Sequence, residues 1–320
     1  MKLTDSVFTD ADKARRYMAR ERWPHGPVCP HCGNVDQNKI TALEGKAHRA
    51  GVYQCNEPEC REQFTVTVGT VMERSKIPLN KWLLATYLMN AGKKGTSAHQ
   101  IHRTIGVTYK TAWFMCHRIR LMMDDSASDR GPLGGDGKIV EADETYFGDV
   151  PESKRKTKTS RGHPFTKKGK RANKQAIVAL VERGGSVRSF HVAVADGASV
   201  AKIVNENVAR ESRLQTDESR LYIKVGTQYA AHETINHSAN EYARGDVTTN
   251  SVEGVFSIFK RGMKGVYQHC AEKHLHRYLA EFDFRYNHRS ALGFSDGERA
   301  ALAIRNSGGK RLTYRPTNRA

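Results

Sequence analysis

The sequence predicts a mixed α/β protein in which a small cysteine-bearing module and a helical region precede a larger domain built on a β-sheet. Three observations lead to this prediction. Four of the six cysteines lie within residues 29–60, helical apolar patterns run through residues 78–123, and strand and helix patterns alternate from residue 138 onward. A chain of 320 residues is long enough for two or three modest domains.

The chain carries a large excess of positive charge. It has 52 Lys and Arg against 34 Asp and Glu, a net charge of +18, and a pI of about 9.7. An excess of this size is typical of proteins that bind a polyanion such as nucleic acid. The longest apolar run, AIVALV at 176–181, is far shorter than the roughly twenty residues that span a bilayer. We therefore expect a nucleic-acid partner, no membrane association and a cytoplasmic location, where thiols stay reduced.

The spacing of four cysteines predicts a metal-binding module over residues 25–77. Cys29 and Cys32 form a C-x2-C pair, and Cys55 and Cys60 form a looser C-x4-C pair after 22 intervening residues. Four thiolates from two such turns can close a tetrahedron around Zn²⁺ and leave no position open for a substrate. Four buried thiols without a metal are the alternative. The spacing favours a zinc ribbon with one structural Zn²⁺.

The helical region over residues 78–123 is predicted to contain a helix-turn-helix. Thr96 or Ser97 can cap a short helix, Gly106 can make the turn, and Thr108 can cap a second helix. Such helix pairs serve either as plain scaffolding or as DNA readers whose second helix enters the major groove. The basic charge of the chain favours the second interpretation. The second helix then offers these side chains to DNA: Lys110, Thr111, His117, Arg118 and Arg120.

The order of elements after residue 138 predicts an RNase H-like domain over residues 138–290. A strand (KIVEADETYF), a hairpin around Gly184, a helix, a short strand (RLQTD) and a later helix follow one another. The other predicted segments are a helix over 1–24, a linker over 124–137, a basic insertion over 151–174 and a basic C-terminal tail over 291–320. The insertion holds ten Lys or Arg against one Glu, and we interpret it as a loop that contacts DNA phosphates.

The predicted fold brings three acids together. Asp143 lies in the first strand, Asp217 ends the fourth, and Glu253 lies on the later helix. Two divalent cations about 3.5–4 Å apart need such a cluster, because one carboxylate bridges them while the others hold each cation separately. Lys260 follows two helical turns after Glu253 on the same face, where it can hold a phosphate.

Two alternatives to these acids stay open. Glu141 can replace Asp143, because residues two apart in a strand share a face. Asn250 can replace Glu253, because it lies three residues upstream on the same helical face. A carboxylate is the better ligand for a hard cation, which favours Glu253.

The chain resembles bacterial insertion-sequence transposases of the DDE superfamily, and within them the zinc-ribbon ISXO-type group related to the Merlin transposons. The resemblance covers nearly the whole chain, and its most specific segments are VEADETYFG, HSANEYARGDVTTNSVEGVFSIFKRG and HLHRYLAEFDFRYNHR. It implies that Asp143, Asp217 and Glu253 bind two Mg²⁺ or Mn²⁺ ions and that Lys260 accompanies them. An asparagine is sometimes assigned the third position in this group, which would be Asn250. The expected DNA contacts outside the helix pair are Lys167, Lys168 and Arg261.

This resemblance implies DNA transposition. The protein would bind the terminal inverted repeats of double-stranded DNA, cleave the 3′ ends by two-metal hydrolysis and join the 3′-OH to target DNA. Because two ends must be held at once, we expect a homodimer or a larger assembly on DNA in the nucleoid. A catalytically silent DNA-binding regulator derived from a transposase and an RNase H-like nuclease are the alternatives. The presence of all three acids argues against the regulator.

Overall fold

The computed structural model describes residues 1–125, 131–148, 157–158, 164–165 and 174–313, with the backbone alone for 157–158 and 164–165. The chain divides into two compact units. The N-terminal unit comprises Met1–Ser128, Gly262–His269 and Ala280–Ala320, and the sheet unit comprises Asp129–Arg261 and Cys270–Leu279. None of the described helices combines the length and the apolar character that a membrane span requires.

The N-terminal unit begins with helix α1 (Ala11–Arg22) and a three-stranded antiparallel sheet in the order β1-β2-β3. The strands are β1 (Ile40–Leu43), β2 (Val52–Cys55) and β3 (Gln63–Thr65). Trp23, Tyr53 and Phe64 form an aromatic cluster with ring centroids 5.6–5.8 Å apart. This cluster gives the small sheet an apolar core in addition to its cysteines, which is how a module of this size stays folded.

Helices α2 (Leu79–Ala91), α3 (Ala98–Ile105) and α4 (Tyr109–Met123) complete the first part of this unit. The Ser97 side chain accepts a hydrogen bond from the Gln100 amide, and the Thr108 side chain accepts one from the Thr111 amide. Gly106 ends α3 with φ +63°, a left-handed conformation that glycine adopts without strain. The predicted pair of short helices around a glycine turn is confirmed.

The predicted C-terminal tail over 291–320 is wrong for its first half. Residues Asp296–Arg305 form helix α9, which begins with a capping box between Ser295 and Glu298. Ala303 and Ile304 are fully buried in the same core as residues of α2 and α4. The buried residues of α9 recur every three to four positions but are mostly small, so the helical period of apolar residues is weak in the sequence. Residues 314–320 lie outside the described part of the chain.

The sheet unit contains a five-stranded sheet in the order β10-β9-β4-β7-β8. Its strands are β4 (Ile139–Phe147), β7 (Gln175–Glu182), β8 (Val187–Val192), β9 (Arg213–Asp217) and β10 (Ala231–Ile235). The first three form an antiparallel meander, β9 runs parallel to β4, and β10 runs parallel to β9. These directions and this order are those of the RNase H-like fold, as predicted. A short ladder pairs β5 (Thr157–Lys158) with β6 (Pro164–Phe165).

Helices cover the two faces of this sheet. On one face, Val140, Leu180 and Leu214 pack with residues of α5 (Gly197–Asn207) and α6 (Ile223–Gly226) in one buried cluster. The alternate side chains of β4 point to the opposite face, where Glu141 contacts the start of helix α7 (Asn250–Gly262). Helix α8 (Leu275–Asn287) contributes its first residues, 275–279, to the sheet unit and the remainder to the N-terminal unit.

Two predicted boundaries differ from the observed units. Leu133, which we placed in the linker over 124–137, is buried in the core of the sheet unit and exchanges backbone hydrogen bonds with Asn207 and Ala209. Residues 280–290, which we placed in the catalytic domain, belong to the N-terminal unit. The reason is Glu281, a fully buried carboxylate whose ion-pair partners are Arg120 and Arg285 of the same unit.

Candidate active site

Strands β4 and β9 bring two of the predicted acids together. Their parallel pairing ends where Glu141 lies opposite Gln215, and two residues further along each strand are Asp143 and Asp217. Residues two apart in a strand point to the same face. Asp143 lies in the middle of β4, just beyond its pairing with β9, and Asp217 is the last residue of β9. Carboxylate oxygens of Asp143, Asp217 and Glu144 all lie within 4.8 Å of one another.

This acidic cluster is electrostatically costly without a cation. Burial, with the nearby charges of Asp217, Glu144 and Glu253, raises the pKa of Asp143 to about 7. Burial is also the main reason that the pKa values of Asp217 and Glu144 are raised. Three crowded carboxylates form the hard oxygen donor set that Mg²⁺ and Mn²⁺ prefer. The cluster therefore fits a divalent cation, whose charge would offset the repulsion.

Glu144 is a site residue that the sequence analysis missed. Its carboxylate accepts hydrogen bonds from the Tyr222 hydroxyl at 3.0 Å and from the Ser219 hydroxyl at 3.4 Å. Strand alternation points neighbouring side chains to opposite faces, and on that rule Glu144 cannot join Asp143. Beyond the pairing of β4 with β9, however, the carboxylates of Asp143 and Glu144 both reach the Asp217 carboxylate. The available signal was the adjacent Asp-Glu pair within a predicted strand.

Glu253 lies near this cluster, but it is not one of the three residues whose carboxylate oxygens lie within 4.8 Å of one another. Its Oε1 accepts a hydrogen bond from Thr249 Oγ1 at 3.0 Å, and His237 Nε2 lies 3.3 Å from the same oxygen. Glu253 is near enough to Asp143 to contribute to the raised pKa of that residue. Asn250, the alternative third residue, is exposed and begins α7, and Lys260 is half-buried near the end of the same helix.

Glu141, the alternative to Asp143, is excluded as a metal ligand by its hydrogen bonds. Its side chain is fully buried and accepts hydrogen bonds from the Ser251 and Val252 amides and from the Ser251 hydroxyl. The Arg183 guanidinium donates two more, at 2.6 and 2.9 Å. Both oxygens are thus occupied by donors, and Glu141 serves the packing of α7 instead.

The four predicted cysteines also converge. The Cys29 and Cys60 sulfurs lie 3.7 Å apart, as do those of Cys32 and Cys55, and all four are within 4.8 Å of one another. A tetrahedral Zn²⁺ with Zn–S bonds of roughly 2.3 Å has sulfur–sulfur edges of about 3.8 Å. The observed spacing therefore fits a metal ion held by four thiolates, and the widened second pair does not prevent closure.

The predicted DNA-binding side chains of α4 fall into two groups. Lys110 is exposed, and Thr111 and Arg118 are partly exposed. His117 and Arg120 are wrong as DNA contacts, since 1% and 2% of their surfaces are exposed. Arg120 binds Glu281 at 2.6 Å, and His117 packs edge-on against the Trp113 ring.

The other predicted DNA contacts, Arg261, Lys167 and Lys168, lie outside the helix pair. Arg261 is exposed and donates to Ser257 of its own helix. Lys167 and Lys168 lie outside the described residues. Exposed residues near the turn that the sequence analysis did not select are Arg103 and Tyr109, and Tyr109 stacks on His99 with ring centroids 4.1 Å apart. The available signal was the helical period, which places both on the outer face of the pair.

An RNase H-like sheet with clustered acids on two adjacent strands, in a chain with a four-cysteine ribbon, is typical of a DDE-type protein. Comparison with known families agrees. Residues 132–287 match the ISXO2-like transposase domain, and residues 9–63 match the transposase zinc-ribbon domain. The chain thus carries an ISXO2-like transposase domain together with a transposase zinc-ribbon domain.

The chain is also similar to a protein that is described as part of a transposable element. The chain is 27% identical over 284 residues to a protein of Halobacterium salinarum (strain ATCC 700922 / JCM 11081 / NRC-1) described as "Uncharacterized protein in transposable element ISH50". The aligned region covers 87% of this chain and 92% of that protein. The similarity therefore extends over both units.

Proposed function

We propose that the protein is a DNA transposase that binds terminal inverted repeats, cleaves at the 3′ ends and joins the freed 3′-OH to target DNA. The observation that carries this proposal is the convergence of Asp143, Asp217 and Glu144 in a family of transposases. The DNA bound and cut would be double-stranded, and the protein would act in the nucleoid of the cytoplasm.

Asp143, Asp217 and Glu253 are the proposed ligands of two Mg²⁺ or Mn²⁺ ions, with Glu144 as an additional carboxylate. When bound, such a pair of cations activates water as a nucleophile and stabilises charge on the leaving oxygen. Thr249 and His237 hold the Glu253 carboxylate on the α7 side of the cluster. Lys260, on the same helix, would bind a phosphate oxygen of the substrate strand.

DNA recognition is assigned to the N-terminal unit. The exposed Lys110 and Arg103 flank the turn between α3 and α4, where they can contact phosphates or base edges. A single structural Zn²⁺ held by Cys29, Cys32, Cys55 and Cys60 would maintain the ribbon. Since two transposon ends are processed together, the active form would be a homodimer or a larger assembly.

Strand cleavage tests this proposal directly. Purified protein is incubated with labelled duplex taken from the DNA flanking its gene, with Mg²⁺ or Mn²⁺, beside an Asp217→Asn variant. Asp196→Asn is the matched control, because Asp196 is an exposed helix cap and asparagine caps equally well. We expect nicks with 3′-OH ends at one position, absent in Asp217→Asn and retained in Asp196→Asn.

Other results would assign a different function. Salt-sensitive binding to the flanking DNA without any metal-dependent cut would identify a regulator. Cleavage at many positions of unrelated duplexes, without joining, would identify a nuclease.

A further inference from the structure

Glu141 is a fully buried carboxylate with donors around both oxygens. Oε2 accepts the Ser251 amide at 2.7 Å and the Val252 amide at 3.1 Å. Oε1 accepts the Ser251 hydroxyl at 2.9 Å and two nitrogens of Arg183. The two amides belong to the first turn of α7, where backbone N–H groups have no partner within the helix. A strand residue therefore caps the helix that carries Glu253.

Arg183 extends this contact to the loop before α7. Besides binding Glu141, its guanidinium donates to the Asp246 carbonyl at 2.7 Å, the Thr248 carbonyl at 3.1 Å and Gln215 Oε1 at 2.8 Å. Gln215 Oε1 in turn accepts the Thr248 amide at 3.1 Å. The chain from residue 246 to residue 252 is thereby attached to β4, β9 and the end of β7. Thr249, the residue that donates to Glu253, lies inside this segment.

The strand register relates this network to the acids. Glu141 and Gln215 are direct partners in the β4–β9 pairing, and Asp143 and Asp217 follow two residues later on the same face. One layer of side chains thus holds the start of α7, and the next layer forms the acidic cluster. A shift of the helix start relative to the first layer is necessarily a shift of Glu253 relative to the second.

We propose that Glu141, together with Arg183, is a positioning residue that sets the distance of Glu253 from Asp143 and Asp217. It touches neither cation nor substrate; it acts through the first turn of α7. The proposal deepens the proposed function, because it assigns Glu253 to the same metal centre. Its central test needs no DNA, so it fails or succeeds separately from transposition.

A carboxylate is required at this position for a geometric reason. Every group around the two oxygens is a donor, apart from the Ser251 hydroxyl, which can also accept. A glutamine has one oxygen and one NH₂ group, so it must direct the NH₂ either at Arg183 or at the helix amides. Glu141→Gln therefore breaks one half of the network while preserving side-chain volume.

The test is a double-mutant cycle on Mn²⁺ binding, measured by electron paramagnetic resonance on metal-free full-length protein. Glu141→Gln and Glu253→Gln are made singly and together. We expect each single variant to bind Mn²⁺ about tenfold more weakly and the double variant to be no weaker than Glu253→Gln alone. Glu206→Gln is the matched control, since Glu206 is an exposed acid of α5, on the face of the sheet opposite α7, and this variant should bind Mn²⁺ as tightly as the wild type.

Hydrogen exchange provides a second readout that does not depend on metal. Peptides covering residues 246–254 should exchange faster in Glu141→Gln, with peptides of β7 and β8 unchanged. Arg183→Lys is a milder second variant, in case Glu141→Gln does not fold. Lysine keeps the positive charge beside Glu141 but cannot also donate to the Asp246 and Thr248 carbonyls. We expect the same effects on Mn²⁺ affinity and hydrogen exchange, with smaller size. Additive losses of Mn²⁺ affinity in the cycle, or unchanged affinity in Glu141→Gln, would overturn the proposal.

Discussion

Replacing Asp143 with asparagine should make the metal-free sheet unit more stable at neutral pH, although it removes a proposed catalytic group. The physical reason is that burial and the neighbouring Asp217 make ionisation of Asp143 unfavourable in the folded state and raise its pKa to about 7. Asparagine keeps the shape of the side chain and carries no charge to desolvate.

The size of the effect follows from the pKa. One pKa unit corresponds to about 1.36 kcal/mol, so a rise from 3.8 to about 7 gives an upper limit of roughly 4 kcal/mol. Asp143 keeps partial contact with solvent, which screens the charges around it, so we expect about 2 kcal/mol. For a unit of this size, that corresponds to a melting temperature higher by roughly 5 °C.

The pH dependence has a definite sign. At pH values below about 4 the carboxyl is protonated in both the folded and the unfolded state, and the wild type carries no penalty. As the pH rises towards 7, the unfolded state releases the proton while the folded state retains it, so the wild type loses stability. The advantage of Asp143→Asn should therefore appear between pH 4 and 7 and stay constant above that range.

The assay must report on the sheet unit. All three tryptophans, Trp23, Trp82 and Trp113, belong to the N-terminal unit, so tryptophan fluorescence would follow the other half of the molecule. Calorimetry combined with hydrogen exchange of β4 and β9 is suitable, at several pH values and with or without Mn²⁺. Mn²⁺ should stabilise the wild type at pH 8 and stabilise Asp143→Asn much less.

Glu182→Gln is the control for this measurement. Burial favours a higher pKa for Glu182, but hydrogen bonds from Lys138 and the Gly134 amide outweigh it and lower the pKa. Removing that charge should destabilise the same unit at neutral pH. If Asp143→Asn were also destabilising in metal-free protein at pH 8, the interpretation of the acidic cluster as a strained, cation-binding site would be refuted.

Three further predictions concern the ribbon, the third acid and the basic side chains. Chelation, or Cys32→Ser, should release about one Zn²⁺ per chain in a colorimetric assay and speed exchange in β1–β3 but not in β9; unaltered exchange in the ribbon would contradict a structural metal. Glu253→Gln should slow metal-dependent cleavage by about a hundredfold, whereas Asn250→Ala should leave it nearly unchanged; the reverse result would assign the third position to Asn250. Lys110→Ala should reduce the slope of DNA affinity against salt concentration by about one phosphate contact. Arg120→Ala should instead lower the free energy of unfolding by about 3 kcal/mol and leave this slope unchanged. A changed slope in Arg120→Ala would contradict its assignment to the core.

Elements with a strong local pattern were predictable from the sequence. Helix α7 spans Asn250–Gly262 and strand β4 spans Ile139–Phe147, in agreement with the segments inferred from apolar periodicity and strand propensity. Helix α9 was not predicted, since its buried residues are mainly alanines, which carry little apolar contrast. Its stability comes from packing in a core formed by distant segments, a contribution that local propensity does not contain.

The side chains that face the core of a basic helix were also beyond local prediction. The sequence predicts a DNA contact for Arg120 because it lies on the second helix of the predicted helix-turn-helix in a basic chain. Its partner, Glu281, lies 161 residues away in the sequence. A fully buried carboxylate must be neutralised by a cation, and only the folded chain identifies which arginine supplies it.

The pair Glu141 and Asp143 shows most clearly where sequence reasoning stops. Both are acids on the same face of one strand, and strand alternation treats them alike. Their roles diverge because the pairing of β4 with β9 ends at Glu141, so that Glu141 lies within the sheet under the start of α7 whereas Asp143 lies just past the last pair. An acid enclosed by donors on all sides holds a helix, whereas an acid beyond the β4–β9 pairing, beside other acids, is suited to bind a cation. The distinction therefore depends on where a parallel pairing ends, a property of two strands separated by some seventy residues, and neither strand encodes it alone.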